Sequence, residues 1–400
     1  MGFTRAILPR RGLPRDSATV TLYFAFLPIL LALAGAVQAL FARRALRALA
    51  GTPPPPVPAL PASLLKPLHG AEPGLADNLA ACLAQRHAAP FEVVFGAADP
   101  ADAALPLAAA AMAPSSTPAR IISGGALLGA NRKVSQLVHL AAVAQHPALV
   151  ISDADMRCPP TWLTAVTAPL ADPAVGLVTC LYRGEPADDG LCSRLAALGI
   201  DWHFLPNAAL GEALGQAQGC YGATMALRRD TLTQIGGFEP LLPLLADDHA
   251  LGEAVRAAGL RVIVSPVIPA HVMSEKSFIT LWQHELRWAR TVRMLKPGGF
   301  LGLAFTHPVA WALLALALWP DALTLGVLGL TCAARLALAQ GVDAALGVPG
   351  AWRRWAWLPL RDLLSAAIWA AALWPGSVVW GAHRYRLGAD GRMVETTRTP

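Results

Sequence analysis

Long apolar stretches at both ends of the chain enclose a central region with a different pattern. Four stretches approach or reach the roughly 20 residues that a helix needs to span a bilayer: Ala18 to Phe41, Leu301 to Trp319, Ala322 to Gln340 and Trp357 to Trp380. Between the first and the second, short apolar runs alternate with segments whose apolar residues recur at helical spacing. We therefore predict an N-terminal anchor, a globular central domain and a C-terminal membrane region.

The central region has the pattern of alternating β-strands and α-helices. Strand-like runs lie at 63–65, 91–95, 120–122, 149–151, 176–181 and 261–264, and helix-like segments at 75–83, 103–112, 132–144, 230–235 and 246–258. Such alternation predicts an α/β domain with a mostly parallel, doubly wound sheet covered on both faces. Residues 278–292 are amphipathic and directly precede the apolar block, so we expect them to lie along the membrane interface.

These patterns divide the chain into seven segments. Their predicted bounds are 1–17 for a basic tail, 18–41 for the transmembrane anchor, 42–61 for a Pro-rich linker, 62–275 for the α/β domain, 276–298 for the interfacial helix, 299–381 for the membrane region and 382–400 for a tail. Three C-terminal spans would place the last tail across the membrane from the α/β domain, yet residues 383–386 are basic. Since basic segments favour the cytoplasmic side, we expect one apolar stretch to be re-entrant or interfacial.

Composition supports an integral membrane protein. Hydrophobic residues make up 55% of the chain and charged residues only 14%, whereas an ordinary soluble domain has about 25% charged residues. The net charge of +6 is concentrated beside the apolar stretches, as in the basic segments 43–47 and 353–354. Nucleic-acid binding is not predicted, because no basic stripe with interleaved aromatic residues is present. The six cysteines form no Cys-x-x-Cys pair, which is typical of buried thiols in a reducing compartment.

Carboxylates follow two of the predicted strands. Asp153 and Asp155 end the apolar run 149–151, at the edge where open α/β sheets bind ligands. Paired carboxylates there suit a hard divalent cation, the usual partner of a diphosphate, and a solvated Asp-x-Asp turn is the alternative. Asp99 follows the strand 91–95. At that edge it is predicted to hold a base or ribose, and an ordinary loop aspartate is the alternative.

Two more groups of polar residues come later in the chain. Asp247 and Asp248 open a predicted helix, where stabilisation of the helix dipole is the alternative to chemistry. Arg287 and Trp288 lie on the amphipathic helix with His284 one turn earlier, an arrangement that also fits a headgroup anchor.

The order of these features resembles the ceramide glucosyltransferase family over about 63–293. That family has three spaced aspartates and a (Gln/Arg)-x-x-Arg-Trp motif before a membrane block, and the segments 65–70, 131–135 and 153–157 add to the likeness. Segments 178–184 and 284–291 are most similar to its bacterial branch associated with hopanoid biosynthesis. The first motif position is His284 here, whose charge depends on pH near neutrality.

The resemblance implies a GT-A fold and inverting, membrane-bound sugar transfer from a UDP-sugar. It implies that Asp248 is the general base and that Asp247 orients this base or contacts the donor sugar. It also implies that Asp155, with Asp153, binds Mg²⁺ or Mn²⁺ and that Arg287 binds the diphosphate. It further assigns nucleoside contacts to Asp99 and Lys66, sugar or lipid stacking to Trp288, and a hydrogen bond to phosphate or sugar to His284.

The predicted acceptor is a hydroxyl of a membrane lipid, because a soluble acceptor gives no reason for the spacer, the interfacial helix and the membrane block. A hopanoid receiving N-acetylglucosamine is the first hypothesis, and ceramide receiving glucose is the second. The expected location is the bacterial inner membrane, with the α/β domain facing the cytoplasm. There are two rival classes of protein. The first is a processive polysaccharide synthase, and the small number of apolar helices argues against it. The second is a non-enzymatic scaffold or transporter subunit, and the large α/β domain argues against it.

Overall fold

The computed structural model describes residues 17–53, 58–216, 219–380, 383–388 and 391–398, with only the backbone described at 17–23, 387 and 397–398. Nearly all of the predicted basic tail and the centre of the predicted linker therefore lie outside the described residues. The strands are β1 (Ala62–Leu68), β2 (Phe91–Ala97), β3 (Ala119–Ser123), β4 (Ala148–Ser152), β5 (Met156–Arg157), β6 (Val175–Cys180), β7 (Arg183–Pro186), β8 (Thr224–Arg228), β9 (Arg261–Ser265), β10 (Ala270–Met273), β11 (Val378–Trp380), β12 (His383–Leu387) and β13 (Met393–Arg398). The α-helices are α1 (Ser17–Ala50), α2 (Leu75–Leu83), α3 (Ala104–Met112), α4 (Arg132–Val143), α5 (Trp162–Thr167), α6 (Leu191–Gly199), α7 (Leu205–Ala213), α8 (Arg229–Gln234), α9 (Asp247–Ala257), α10 (Phe278–Leu295), α11 (Pro297–Gly302), α12 (Pro308–Leu318), α13 (Ala322–Ala345) and α14 (Leu358–Ala372).

Seven strands form one large sheet, in the order β3-β2-β1-β4-β8-β6-β9. β8 pairs antiparallel with β4 and β6, and the other pairings are parallel. The predicted mostly parallel α/β sheet is confirmed, and each of the six strand-like runs corresponds to one of its strands. A smaller sheet, β5-β10-β7, lies beyond the carboxyl end of β4.

Helices cover both faces of the large sheet. Leu64 and Val150 pack with α2 and α5 on one face, while Leu65 and Ile151 pack with α4 and α9 on the other. Successive side chains of a strand point to opposite faces, so a strand buried on both sides is apolar without interruption. All five residues of β4 are buried for this reason. The carboxylates Asp153 and Asp155 begin where β4 ends.

Two helical segments, Phe24–Ala50 and Ala322–Ala345, are long and apolar enough to span a bilayer. The pair Pro297–Thr306 and Pro308–Leu318 adds a third if it is one span, although it is bent by 67°. α1 continues to Ala50, so the first half of the predicted linker is helical. These helices are consistent with a membrane protein, and they pack together through apolar residues of α1, α12 and α13.

The last predicted span, Trp357 to Trp380, is not one helix. α14 ends after 15 residues, and β11 begins a three-stranded antiparallel sheet made with the segment predicted as a tail. This sheet lies on the α/β domain: Met393 N donates to Pro243 O at 2.8 Å, and Tyr385 packs with Leu245. The end of the chain therefore packs on the α/β domain.

The charged residues within the apolar C-terminal stretches are satisfied by protein partners. Arg335 of α13 donates two hydrogen bonds to Asp362 of α14, at 2.7 and 2.8 Å, and a third to Trp202 O at 3.0 Å. Arg361 of α14 is fully buried and forms two hydrogen bonds of 2.7 Å with Glu285 of α10. These pairs join the apolar helices to the α/β domain, so Arg335 gives no indication of a transport pathway.

Candidate active site

The Asp-x-Asp turn links β4 to β5 and is fixed through its backbone. Lys66 Nζ of β1 donates to Asp153 O at 2.6 Å, and Asn78 Nδ2 of α2 donates to Ala154 O at 3.1 Å. Asp155 O accepts from the backbone of β10. The turn is thus held at the edge of the sheet by bonds to its backbone oxygens.

Lys66 does not fit the predicted nucleoside contact. Its side chain is fully buried, and besides Asp153 O its ammonium donates to Met156 O at 3.1 Å and Ser152 Oγ at 3.2 Å. Three partners use the three hydrogens that an ammonium offers. The structure therefore corrects the expectation: Lys66 supports the Asp-x-Asp turn from inside the domain.

Asp155 is paired with a histidine that the sequence pattern did not single out. His271 Nε2 of β10 lies 2.8 Å from Asp155 Oδ2, and His271 is buried. Burial alone would raise the pKa of Asp155, but the charge and hydrogen bond of His271 outweigh it and hold the pKa at about 2. Burial lowers the pKa of His271, and Asp155 more than reverses this, so that its pKa is raised. A lone histidine in a short apolar strand reads as a core residue, which is why sequence analysis missed it.

This pair predicts a pH-dependent contribution to stability. The folded-state pKa of His271 is raised above the unfolded value of about 6.5, so the stabilisation is complete below that value and is lost as pH rises through the raised pKa. The lowered pKa of Asp155 sets the acid limit, where stabilisation is lost as pH falls through about 2. We expect the difference in thermal midpoint between the wild type and Asp155→Asn to shrink as pH rises above neutrality.

Asp172→Asn is the matched control for that measurement. Asp172 pairs with Arg261, whose guanidinium stays protonated throughout this range. Its effect on the midpoint should therefore be constant with pH. A constant difference for Asp155→Asn as well would show that His271 does not carry the charge we assign to it.

Lys133 connects the Asp-x-Asp turn to the acidic pair of α9. Its Nζ lies 2.6 Å from Asp153 Oδ1 and 3.9 Å from Asp247 Oδ2, and it donates to Gly222 O at 3.3 Å. Burial lowers the pKa of Lys133, but the charges of Asp153 and then Asp247 more than reverse this effect. The pKa is therefore raised, and the ammonium is charged. Lys133 lies within the segment 131–135 that contributed to the family resemblance, but no role could be predicted for it from the sequence.

Asn131 holds the two helix N-termini together. Its Oδ1 accepts from Val134 N at 3.0 Å as the cap of α4, and its Nδ2 donates to Leu244 O at 2.8 Å and Asp247 Oδ1 at 3.3 Å. Asp247 is thereby oriented at the first turn of α9. Burial is the main reason that the pKa of Asp247 is raised.

Asp248 is the second residue of α9 and is held by two backbone amides. Gly222 N donates to Oδ2 at 2.9 Å, and His249 N donates to Oδ1 at 2.7 Å. A Cβ on Gly222 would lie 3.0 Å from Asp248 Oδ2, so glycine permits this close approach. Burial, with a smaller contribution from the charge of Asp153, raises the pKa of Asp248 although Lys133 opposes the shift. A fixed carboxylate with a raised pKa is suited to accept a proton.

α10 begins at a capping box formed by Ser277 and Thr280 and brings three predicted site residues to the same region. His284 Nδ1 lies 2.6 Å from Glu275 Oε1, and its ring meets that of Trp288 at 4.3 Å. The Trp288 ring is also 5.9 Å from the ring of His271. His284 and Trp288 are therefore in contact with each other and adjacent to the partner of Asp155.

Arg287 is half-buried on the same helix, 6.0 Å above the ring of Trp380. Within the part of the chain that the structure describes, no carboxylate lies within salt-bridge distance of it. Burial lowers its pKa to about 10, against the charge of Asp155, so it is protonated at neutral pH. A charged guanidinium without a carboxylate partner is suited to donate hydrogen bonds to phosphate oxygens.

Tyr182 lies among the carboxylates, although sequence analysis gave it no role. Its ring stacks on Phe204 at 4.6 Å and meets the edge of His271 at 5.2 Å. Burial raises its pKa, and the charges of Asp248 and Asp155 raise it further, so the phenol is neutral. Phe204 ends a π-helical turn between α6 and α7, and such turns are frequent at functional sites.

Asp99 lies at the carboxyl end of β2, as predicted, and is exposed. Its Oδ1 accepts from Ala101 N at 2.8 Å, which closes a local turn. No hydrogen bond or ion pair joins it to the Asp-x-Asp turn within the described ranges. Its neighbour Asp102 is more enclosed and accepts from Gly70 N at 2.9 Å. The nucleoside role of Asp99 stays a prediction.

Asp153 and Asp155 fit a divalent cation whose other ligands come mainly from the substrate phosphates and water. Among the described residues, no group of three or more His, Cys, Asp or Glu side chains could hold a metal ion. Asp155 Oδ1, however, is buried without a hydrogen-bond partner in the same part of the chain. Mg²⁺ is usually held by one or two carboxylates together with substrate phosphates and water. Asp155 meets that requirement, with Asp153 beside it.

The chain belongs to glycosyl transferase family 21, whose family model matches residues 27–393. The protein is therefore a glycosyltransferase, and the sequence resemblance is confirmed at the level of the ceramide glucosyltransferase family. The non-enzymatic scaffold and transporter hypotheses are thereby wrong.

Solved glycosyltransferase structures are similar over much of the chain. The mannosyltransferase PcManGT from Pyrobaculum calidifontis, in complex with GDP-Man and Mn²⁺, is 20% identical over 89% of this chain and 98% of its own, with a TM-score of 0.46. Glucosyl-3-phosphoglycerate synthase from Mycobacterium tuberculosis, in complex with Mg²⁺ and UDP, is 17% identical over 58% of this chain and 78% of its own, with a TM-score of 0.38. The fold is α/β, as expected; since these TM-scores lie below 0.5, the functional argument rests on the family and on the site.

Proposed function

We propose that this protein transfers a sugar from a UDP-sugar to a hydroxyl of a membrane lipid, with inversion at the anomeric carbon. One observation carries the proposal: Lys133 lies between Asp153 of the Asp-x-Asp turn and Asp247, the neighbour of Asp248. A diphosphate site and a candidate base therefore share one sheet edge. An inverting transfer needs both on opposite sides of the same sugar.

The donor side is assigned to Asp155, Asp153 and Arg287. Asp155 Oδ1 and the Asp153 carboxylate would hold Mg²⁺ or Mn²⁺, which supplies Lewis-acid neutralisation of the leaving diphosphate. His271 keeps Asp155 ionised, and Lys133 compensates the charge of Asp153. Arg287 donates to the diphosphate oxygens, and Asp99 contacts the nucleoside at the end of β2.

The acceptor side is assigned to Asp248. The two backbone amides hold its carboxylate in one orientation, leaving lone pairs for the hydroxyl of the acceptor. As the oxygen attacks the anomeric carbon, its proton moves to Asp248 and the bond to the diphosphate breaks. Asp247 orients the first turn of α9, and Trp288, supported by His284, offers an aromatic face to the sugar or lipid.

A lipid acceptor is supported by the position of the site beside the apolar helices. Arg361 joins α14 to α10, and Arg335 joins α13 to the π-helical turn, so α10, which carries Arg287 and Trp288, lies beside the apolar helices. A hopanoid receiving N-acetylglucosamine is the first choice, supported by the segments 178–184 and 284–291; ceramide receiving glucose is the alternative. The proposed location is the bacterial inner membrane with the α/β domain in the cytoplasm, supported by the basic segment 43–47 near the end of α1.

A direct assay tests the proposal. Membranes containing the protein are incubated with UDP-N-acetylglucosamine or UDP-glucose, Mg²⁺ or Mn²⁺, and hopanoid or ceramide, and lipid products are read by mass spectrometry. One glycolipid from one donor and acceptor pair identifies the reaction. A polymer in place of a glycolipid would revive the polysaccharide synthase hypothesis, and no product from folded protein would overturn the lipid acceptor.

Removing the Asp155 carboxylate should separate metal-dependent from metal-independent nucleotide binding. We expect Asp155→Ala to lose the increase in UDP affinity that Mg²⁺ or Mn²⁺ produces, because its free oxygen is the best placed metal ligand. Titration calorimetry with and without the metal measures this. Asp172→Ala, which removes an exposed carboxylate on the same domain, should retain the metal effect. Equal metal effects in the Asp155 variant and the wild type would remove Asp155 from the metal site.

A further inference from the structure

A large cavity with a basic lining lies outside the site described above. It has a volume of about 1060 Å³ and lies between the second half of α10, α11, the end of α14 and the sheet β11–β13. Its basic lining residues are Arg290, Arg293, Arg384 and Arg386. The described lining residues include no carboxylate. Four positive charges thus share one cavity without an acidic partner in its wall.

Two of the arginines are pre-positioned by backbone oxygens. Arg290 Nη1 donates to Ser377 O, and Arg293 Nη1 donates to Leu373 O, both at 2.7 Å. Arg290 Nε is buried and has no hydrogen-bond partner among the described residues. Burial, and then the like charge of Arg293, lowers the pKa of Arg290. An anion in the cavity would relieve this repulsion and satisfy the unpaired donor.

The other two arginines come from one face of a strand. Arg384 and Arg386 are two residues apart on β12, so their side chains point to the same side. Arg384 Nη1 donates to Ser377 Oγ at 3.2 Å, and both side chains are exposed. Their neighbour Tyr385 points the other way, into the contact with Leu245. The strand therefore presents both charges to the cavity while its opposite face fixes it to the domain.

Apart from Ser377 and Thr396, the side chains in the rest of the wall are apolar, and the wall continues onto exposed apolar surface. Phe300 and Leu301 from α11, and Leu373 at the end of α14, line it. Leu301 is 59% exposed, and Trp374 beside Leu373 is 66% exposed. A soluble phosphate has no use for such a surface, whereas a lipid brings an anionic headgroup together with acyl chains. Tryptophan is also enriched where helices meet the membrane–water interface.

We propose that this cavity is a binding site for the phosphate-bearing headgroup of an anionic phospholipid, with its chains against Leu301 and Leu373. The site is separate from the donor and acceptor residues and does not depend on which sugar or acceptor is used. It would hold α10, which carries Arg287, against the sheet β11–β13 at the membrane surface.

Native mass spectrometry of the full-length protein in detergent tests the proposal, with phosphatidylglycerol and phosphatidylcholine titrated separately. We expect saturable binding of phosphatidylglycerol in preference to phosphatidylcholine. Binding should be roughly 25-fold weaker in Arg384→Gln/Arg386→Gln, since each basic side chain near an anionic lipid contributes about fivefold. Arg44→Gln/Arg47→Gln removes the same charge from exposed positions of α1 and should bind like the wild type.

Inorganic phosphate distinguishes the two sources of the anion. If the lipid is the ligand, an excess of phosphate should leave phosphatidylglycerol bound. Displacement by phosphate alone, no preference over phosphatidylcholine, or an equal loss in the α1 control would each overturn the lipid site. Arg386→Gln, which removes an exposed side chain, keeps the test available if the double variant does not fold.

Discussion

Replacing Asp248 with asparagine is expected to slow sugar transfer by roughly 10²- to 10⁴-fold, the usual contribution of a positioned proton acceptor. The amide keeps the size of the side chain and one oxygen to accept from Gly222 N, so the first turn of α9 should be preserved. It cannot take the proton of the acceptor hydroxyl. The rate is measured by mass spectrometry of lipid product under saturating donor and acceptor, so that the loss is assigned to kcat.

Donor binding separates the loss of a base from the loss of the site. UDP affinity in the presence of metal should change little in Asp248→Asn, because the diphosphate ligands are assigned to the Asp-x-Asp turn and α10. Glu253→Gln, on an exposed face of the same helix, is the matched control and should keep wild-type activity. Full activity of Asp248→Asn would show that another residue is the base.

The pH profile gives a second check on the same residue. Asp248 can accept a proton only as the carboxylate, which is protonated as pH falls. Because burial raises the pKa of Asp248, this protonation occurs at a higher pH than in an ordinary aspartate. The rate should therefore decline on the acid side at a pH above the ordinary range of aspartate, about 3.9. Asp248→Asn should lack that acid limb in its residual activity.

The position of the acidic turn could be predicted from sequence because burial dictates its pattern. β4 is covered on both faces and is therefore apolar along its whole length, so the first polar residues after it, Asp153 and Asp155, mark the sheet edge. The same reasoning placed Asp99 after β2 and the Asp247–Asp248 pair at a helix start. Periodicity along the chain contains this information without any reference to tertiary contacts.

The partners of these carboxylates could not be predicted, since they come from distant parts of the chain. His271 is 116 residues from Asp155, and Lys133 contacts Asp153 and Asp247 only because α4 and α9 start at the same edge of the sheet. The expectation for Lys66 was wrong for a related reason. A lysine at a strand end suggests an exposed cation, and only the fold shows that it points beneath the turn.

Hydropathy also overestimated the last membrane segment. Residues 357–380 are apolar enough to suggest a span, yet α14 ends at Ala372 and its charged face pairs with α10 and α13. An apolar stretch with two charges near its start can cover a protein surface as well as it can cross a bilayer. α14 has 15 residues, fewer than the roughly 20 that a span needs, and hydropathy does not show where a helix ends.

Replacing Arg361 with methionine is expected to destabilise the protein by about 3–5 kcal/mol, the cost of breaking a buried ion pair by removing one partner. Arg361 is fully buried and, besides its two bonds to Glu285, donates to Leu195 O at 3.0 Å and to Ser365 Oγ. Methionine fills much of the volume but leaves the Glu285 carboxylate, 14% exposed, without its counter-charge. Thermal unfolding in detergent, followed by circular dichroism, measures the loss.

A double variant separates the unpaired charge from lost packing. Arg361→Met/Glu285→Met removes both charges and should recover most of the stability, because replacing a buried pair by apolar side chains is often close to neutral. Arg353→Gln, an exposed arginine just before α14, should shift stability by no more than about 0.5 kcal/mol. If the single variant melts like the wild type, the pair does not hold α14 to α10. If the double variant is as unstable as the single one, the bonds of Arg361 to α6 and Ser365, and not the charge of Glu285, join the apolar helices to the active-site helix.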